Sequence, residues 1–232
     1  MNLAVSHRWD LPVSEARTLQ AELAAKVVAE TTFSPSAVRT VAGVDVSFRG
    51  NVASAAVVVL SFPGLQPVDW ALDEVPVGFP YVPGLLAFRE GPVVLRALEK
   101  LAIWPDLFVF DAQGVAHPRR LGLAAHMGVL LDSPSIGCAK SRLVGEHDAP
   151  EDTAGAWTLL HDKGQAIGAV LRTRTGVGPV YVSIGHRVDL PTAIDLVLRC
   201  TRGHRLPETT RYAHRAAGGA RLQTGQPNSR PF

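Results

Sequence analysis

Three acidic residues stand at positions where a carboxylate could do chemistry. Asp45 lies within the alternating run VAGVDVSF, where an acid normally costs free energy. Asp111 ends the apolar run DLFVFD, and Glu90 stands beside the start of a helical pattern. If the three side chains converge, they can hold one or two Mg²⁺ ions, which prefer oxygen ligands, activate water and neutralise phosphate oxygens. Together the acids favour metal-dependent phosphate chemistry.

Each acid also has an ordinary structural explanation. Asp45 could lie on a solvated sheet face, Glu90 could be an exposed acid at a helix cap, and Asp111 could simply begin a turn. For any single residue that explanation is favoured. Only the placement of all three on one sheet favours a metal site.

The elements that must position these acids form a mixed β-sheet. The segment TVAGVDVSFRGNVASAAVVVL predicts a hairpin that turns at 49–51. In its first strand one face would carry Ala42, Val44, Val46 and Phe48, and the other would carry Val41, Gly43, Asp45 and Ser47. The near-continuous apolar run before Asp111 is typical of a strand covered on both faces. Further strands are predicted from Pro67 to Val77, up to Lys140, on both sides of the turn 162–164, and in PVYVSIGH.

Helices should cover the two faces of this sheet. Ser14 is predicted to cap a helix that runs through about Glu30. A helical pattern begins near Gly84, and Pro92 could open a new helical segment that continues to about Leu101. Further helices are predicted in LAAHMG and LPTAIDLVLRCT. This order of elements predicts an α/β fold, a mixed sheet covered by helices in a single domain.

The bulk composition is that of an enzyme-sized globular domain. The 232 residues are 47% hydrophobic, which is enough for a substantial core. Two cysteines argue against a disulfide framework or a Cys-rich zinc site, and no apolar run is long enough to cross a bilayer. We therefore expect a soluble cytoplasmic protein with no membrane partner. We also expect it to act as a monomer. From Arg199 onward there are seven arginines and one acid, so this end could touch a polyanion; the tail 218–232 is predicted to be flexible.

Four separated segments, in order, carry a resemblance to a known family. They are VAGVDVSF, PYVPGLLAFRE, FDAQGVAHPRRLGLAAHMGV and IGCAKSRLVG. Together they closely resemble endonuclease V, a family of deoxyinosine-directed nucleases with a ribonuclease H-like fold. Weaker similarity in YVSIGHRVDL and RLPETTRYAH extends the resemblance to roughly residues 10–215. Four blocks in the right order are far more specific than PYVPG alone.

The resemblance implies roles for the acids and their neighbours. Asp45, Glu90 and Asp111 match the family's metal-binding and catalytic acids, and His214 matches a position where Asp or His completes the acidic cluster. Lys140 matches the catalytic lysine, a point charge suited to a developing phosphorane or a leaving oxygen. The implied metal is Mg²⁺, with Mn²⁺ as a substitute.

The resemblance also implies a substrate-binding set. Tyr81 matches the wedge that enters the duplex, and His117 matches a residue near the scissile strand and the lesion pocket, so it also stands among the catalytic candidates. Where the family usually has Asp-Gly, this chain has Asp111-Ala112, which affects the shape of the pocket rather than metal binding. The full set is Tyr81, Pro80, Val82, Pro83, Gly84, Leu86, Ala112, His117 and Gly122.

The implied activity is that of a Mg²⁺-dependent DNA repair endonuclease with its catalytic domain in residues 1–217. It would bind single- or double-stranded DNA containing deoxyinosine and hydrolyse the second phosphodiester bond 3′ to the lesion, leaving 3′-hydroxyl and 5′-phosphate ends. An inosine-directed ribonuclease or a structure-specific nuclease of the same fold stays open. So does a non-catalytic binder of nucleic acid, although its signature, a missing acid or lysine, is not seen in this sequence.

Other polar residues give weaker signals. Arg119 and Arg120 are plausible phosphate contacts, but adjacent arginines often just decorate a surface. His126 lies on an apolar helix face, where a hydrogen-bonded structural histidine is favoured over a ligand. Cys138 is expected to be packed rather than reactive.

Overall fold

An eight-stranded mixed sheet organises the chain. The computed structural model describes residue 1 and residues 3–219. The strands in chain order are β1 (Thr40–Arg49), β2 (Val52–Ser61), β3 (Pro67–Pro76), β4 (Leu107–Phe110), β5 (Ser135–Ala139), β6 (Trp157–Asp162), β7 (Gln165–Leu171) and β8 (Val180–His186). Across the sheet they lie in the order β3-β2-β1-β4-β5-β8-β7-β6. The predicted mixed sheet in a single domain is confirmed.

The centre of the sheet is parallel. Strand β1 runs parallel to β4, and β4 runs parallel to β5. Strands β2 and β8 flank this trio and run antiparallel to their neighbours. Because the carboxyl ends of parallel strands meet at one edge, residues at or just beyond those ends are brought together there.

Helices cover both faces of the sheet. They are α1 (Val13–Ala24), α2 (Leu86–Leu98), α3 (Leu123–Leu131), α4 (Leu190–Arg199) and α5 (Glu208–Ala217), with a short 3₁₀ helix at Pro35–Ala37. One core layer joins α2 and α3 to the face of β1 that carries Ala42 and Val44. The other joins α4 and α5 to the face that carries Val41. The alternation predicted for β1 is therefore confirmed.

The predicted bounds of the first helix are wrong at both ends. Pro12 occupies the N-cap position without a capping side chain, and Ser14 lies inside the first turn. The helix ends at Ala24 rather than near Glu30 because the following chain is bound elsewhere. The Val28 N–H donates to His186 Nδ1 at 3.2 Å, and the Val28 carbonyl accepts from the Arg187 N–H at 2.7 Å.

Two other helices differ from the sequence analysis. Pro92 opens no new segment, because α2 is continuous through it; the buried apolar face of α2 outweighs the backbone donor that proline lacks. Helix α5 is a further element that the sequence pattern did not reveal. Most of the predicted flexible tail, residues 220–232, lies outside the described residues. Within the described part of the chain, every helix is too short or too polar to cross a membrane.

Candidate functional site

Two of the predicted acids meet at the carboxyl edge of the parallel strands. Asp45 lies in β1, and Asp111 directly follows β4. Val44 is paired with Phe110, and the Asp111 N–H continues the ladder by donating to the Val44 carbonyl at 3.1 Å. The register of two strands thus places the carboxylates side by side, and with side chains only 13% and 6% exposed neither acid lies on a solvated face.

His214 joins these acids from α5. One ligand atom each of Asp45, Asp111 and His214 lies within 4.8 Å of the others. Gly43, on the same face of β1 as Asp45, allows this approach, because an added Cβ there would lie 1.9 Å from the Thr209 carbonyl oxygen. A glycine inside a strand is a signal for such close backbone contact. The first turn of α5 therefore rests on β1, and the last turn of the helix carries His214 to the acids.

Glu90 lies behind this group on α2. It is 8% exposed, so it is not the exposed cap acid of the ordinary explanation. Burial, followed by the charges of Asp45 and Asp111, raises the pKa of Glu90 to about 8. Glu90 is not one of the three residues whose ligand atoms lie within 4.8 Å of one another. The negative charges of Asp45 and Asp111 nevertheless act on its carboxyl group.

Lys140 reaches the site from the end of β5. Its Nζ lies 2.5 Å from an Asp111 carboxylate oxygen, and its side chain is 41% exposed. The pKa of Asp111 is nevertheless raised, because burial outweighs the opposing effect of Lys140 and the charge of Asp45 adds to it. The single ammonium group of Lys140 is therefore not enough to bring the pKa of Asp111 back to its ordinary value.

These residues fit a divalent cation. Carboxylate oxygens are the ligands that Mg²⁺ and Mn²⁺ favour, and a neutral imidazole can complete such a set. The buried, negatively crowded Glu90 and Asp111 are the groups that a cation would stabilise. The set could therefore hold a metal ion.

A cavity of about 160 Å³ is lined in part by Ala112, the residue that follows Asp111 in the chain. It is smaller than the roughly 300–1,000 Å³ of pockets for drug-sized ligands and suits a single ring system. Eight of the nine predicted substrate-binding residues line it, and Pro80 does not. Leu143, which is 48% exposed, and both glutamines of the lining were missed by the sequence analysis. The lining residues are Gln20, Tyr81, Val82, Pro83, Gly84, Leu86, Ala87, Ala112, Gln113, His117, Leu121, Gly122, Leu123 and Leu143.

Tyr81 stands exposed beside this cavity. It is 73% exposed, so it does not pack in the core. Gly84 ends the loop in the left-handed region, with φ at +78°, and an added Cβ there would meet the Arg119 guanidinium at 2.7 Å. The loop is thus closely held at Gly84 while its aromatic ring is free.

His117 holds two walls of the cavity together. Its Nε2–H donates to the Gly84 carbonyl at 3.0 Å, and its Nδ1 accepts from the Arg119 N–H at 3.2 Å. Burial first, then the charges of Arg119 and Arg120, lower the pKa of His117 to about 4. The neutral ring, with both nitrogens bonded within the chain, positions the loop.

The two adjacent arginines also have partners within the protein. Arg119 donates to the Gly84 carbonyl and to Gln20 Oε1, both at 2.6 Å. Arg120 donates to an Asp162 carboxylate oxygen at 2.8 Å and to the His117 carbonyl at 2.9 Å. Both guanidinium groups brace the loop after β4, rather than simply decorating the surface.

His126 and Cys138 lie outside the site. His126 is fully buried, and its Nε2 lies 2.7 Å from His7 Nε2, so the predicted hydrogen-bonded structural histidine is confirmed. Cys138 is buried, and burial raises the pKa of its thiol, as expected for a packed residue.

A mixed sheet that delivers acids and a lysine to one edge, beside a ring-sized cavity, defines a nuclease of ribonuclease H-like fold. The Endonuclease V family model matches residues 21–215, and the chain belongs to that family. Its members are metal-dependent hydrolases that act as endonucleases.

Individual relatives are similar to this chain over nearly its whole length. Endonuclease V of Trichormus variabilis is 55% identical over 219 residues, covering 94% of this chain and 99% of the relative. The crystal structure of Endonuclease V from Streptomyces avermitilis is 43% identical, with a TM-score of 0.87 and coverage of 94% and 96%. Ciona intestinalis Endonuclease V, 30% identical with a TM-score of 0.80 and coverage of 89% and 95%, was crystallised with DNA containing an inosine followed by a ribo-adenosine.

Proposed function

We propose that this protein is a DNA repair endonuclease that recognises deoxyinosine and hydrolyses the second phosphodiester bond on its 3′ side. The observation that carries the proposal is the loop after β4. Asp111 belongs to the acidic group, and the next residue, Ala112, lines the cavity. One short segment thus joins a candidate metal centre to a candidate pocket for a base. The inosine-containing DNA bound by the Ciona protein supports this substrate class.

In this proposal Asp45, Asp111 and His214 hold Mg²⁺, or Mn²⁺ in its place, with Glu90 behind them. When bound, the cation supplies an activated water and neutralises a phosphate oxygen. The partly exposed ammonium of Lys140 lies at the same edge and stabilises charge that develops on the phosphate oxygens during the reaction.

The cavity receives the base after it leaves the stack. Extruding a base from a duplex costs a few kcal/mol. Tyr81 is exposed beside the cavity, where its ring can enter the space that the base leaves. His117 and Arg119 keep the loop that carries Tyr81 in place through the Gly84 carbonyl.

Inosine in RNA is a second candidate substrate. The strand bound by the Ciona protein carries a ribonucleotide directly after the inosine, which favours testing RNA beside DNA. Location in the cytoplasm and action as a monomer stay predictions; the two free, buried cysteines are compatible with a reducing compartment.

The test uses an end-labelled duplex with one deoxyinosine, incubated with Mg²⁺, with Mn²⁺, and with EDTA. We expect one cut, at the second bond 3′ to the lesion, with either metal and none with EDTA. A duplex with adenine at the same position is the control, and a matched inosine-containing RNA strand separates the two substrates. Equal cleavage of the inosine and adenine duplexes would overturn lesion recognition, and cleavage in EDTA would overturn the metal centre.

A further inference from the structure

Lys140 stands just beyond the end of its strand. The pairing of β5 with β8 ends at Ala139 and Tyr181, and its pairing with β4 ends at Gly137. Lys140 therefore lies outside the registers that hold β5 in the sheet. Its side chain is 41% exposed, and a lysine carries its charge on a flexible four-carbon stem. An ammonium group that must act at one place needs support from the backbone beneath it.

The guanidinium group of Arg205 supplies such support. Its Nη2 donates to the Lys140 carbonyl at 2.6 Å and to the Pro179 carbonyl at 2.8 Å. Its Nε donates to the Gly178 carbonyl at 2.9 Å. Because the planar guanidinium fixes the directions of its donors relative to one another, these hydrogen bonds hold the three carbonyls in one arrangement. The backbone of Lys140 is thus tied to the connection between β7 and β8.

Arg205 is itself held by its own backbone. Its carbonyl accepts from Thr173 Oγ1 at 2.6 Å. It also stands three residues before the start of α5, the helix that carries His214. One arginine therefore links the segment of the candidate catalytic lysine to the base of the helix that completes the candidate metal centre.

Arg172 offers a comparison from the same region. Its guanidinium also donates to backbone carbonyls, those of Glu151, Val177 and Pro150. Val177 directly precedes Gly178, so both arginines brace the connection between β7 and β8. The difference is that Arg205 extends this support to Lys140.

We propose that Arg205 is a positioning residue for Lys140 and fixes the backbone from which its ammonium group reaches the reacting phosphate. This inference rests on the proposed function, in which that ammonium group stabilises charge on the phosphate oxygens. A misplacement of a catalytic group by about 1 Å can slow a reaction about 100-fold. Loss of the Arg205 guanidinium should therefore slow the chemical step and leave binding intact.

The test is a double-mutant cycle of Arg205→Ala and Lys140→Ala on a single strand with one deoxyinosine. Single-turnover rates are measured with Mg²⁺, and binding is measured separately with Ca²⁺. We expect Arg205→Ala to slow cleavage by about 10- to 100-fold with binding unchanged. In the Lys140→Ala protein the same change should cost little more, because the effects of two residues that act through one group do not add.

Arg172→Ala is the matched control, because it also removes a guanidinium group that is bonded to backbone carbonyls. We expect it to lower the melting temperature, as Arg205→Ala does, but to leave the rate little changed. Arg205→Lys keeps the charge without the planar arrangement of donors, so it should slow cleavage less than Arg205→Ala. Should Arg205→Ala not fold, Arg205→Lys takes its place in the cycle.

The same loss from Arg205→Ala with and without Lys140 would overturn the inference and leave Arg205 a support for the fold alone. An unchanged rate, a defect confined to binding, or an equal loss of rate in Arg172→Ala would overturn it too. Failure of the wild-type protein to cleave deoxyinosine would instead overturn the proposed function, and the cycle is then measured on inosine-containing RNA, the second candidate substrate.

Discussion

His214 Nδ1 lies 2.9 Å from a carboxylate oxygen of Asp45, although 169 positions separate the two residues in the chain. The contact joins the last helix to the first strand, and the close approach at Gly43 makes it possible. The candidate metal centre is therefore complete only when α5 is docked on the sheet. Binding of a metal ion and packing of the C-terminal helix should consequently depend on each other.

Replacing Gly43 by Ala should separate α5 from β1. The new Cβ would meet the Thr209 backbone at 1.9 Å, a contact that no rotamer can relieve. We expect a loss of about 1–3 kcal/mol in the free energy of unfolding and a weaker rise in melting temperature on adding Mn²⁺. Gly78→Ala, where an added Cβ meets nothing within 4 Å, is the matched control. A wild-type response to Mn²⁺ in Gly43→Ala would contradict this dependence.

Replacing Asp45 or Asp111 by Asn should abolish cleavage while the fold survives. Asn keeps the size of the side chain but removes a charge that the cation needs. We expect the rate to fall by about 100-fold or more and the stabilisation by Mg²⁺ to disappear. Cleavage rates and melting curves check this against Asp195→Asn, an exposed acid on α4. Wild-type turnover by either variant at millimolar Mg²⁺ would remove that acid from the site.

Lys140→Ala should slow the chemical step far more than it weakens binding. Charge on the phosphate oxygens grows only toward the transition state, where the ammonium group acts. We expect a loss of about 2.7–4 kcal/mol in transition-state stabilisation, the value of a single donor in comparable sites. Single-turnover rates with Mg²⁺ and binding with Ca²⁺ separate the two effects, with the exposed Lys26→Ala as control. A defect confined to binding would argue against a catalytic lysine.

The sequence pattern predicts the strands that position the site, whereas the role of Lys140 is implied only by the family resemblance. Parallel strands carry Asp45 or end just before Asp111 and Lys140. The alternation of apolar residues and continuous apolar runs locate such strands without knowledge of the fold. The end of α1 and the internal partners of Arg119 were not predictable in this way. They depend on hydrogen bonds to segments 158 and 99 positions away, which leave no local pattern.

Gly43 gives a partial local signal. A glycine within an apolar strand does signal a close approach, but not that α5 is the element that approaches.

Acid should destabilise the protein through His126. Burial lowers its pKa to about 3, whereas the unfolded chain binds the proton near the ordinary value of 6.5. The unfolded state therefore gains protons first, and stability falls as the pH drops from 6.5 toward 3, by about 2 kcal/mol at pH 5. His126→Phe keeps a ring beside Trp9 and Phe88 and should flatten the fall in melting temperature between pH 7 and 5. The same slope in both proteins would exclude His126 as the cause.

Tyr81→Ala should lose more activity on deoxyinosine in a duplex than in a single strand. The ring is 73% exposed beside the cavity, and the loop behind it is held at Gly84 by His117 and Arg119. In a duplex an inserted ring offsets the few kcal/mol of unstacking, whereas a single strand needs no such help. Single-turnover rates on both substrates measure the difference, and Tyr81→Phe, which keeps the ring, should retain the duplex activity. An equal loss on both substrates, with the fold intact, would point to general binding of nucleic acid and away from separation of the strands.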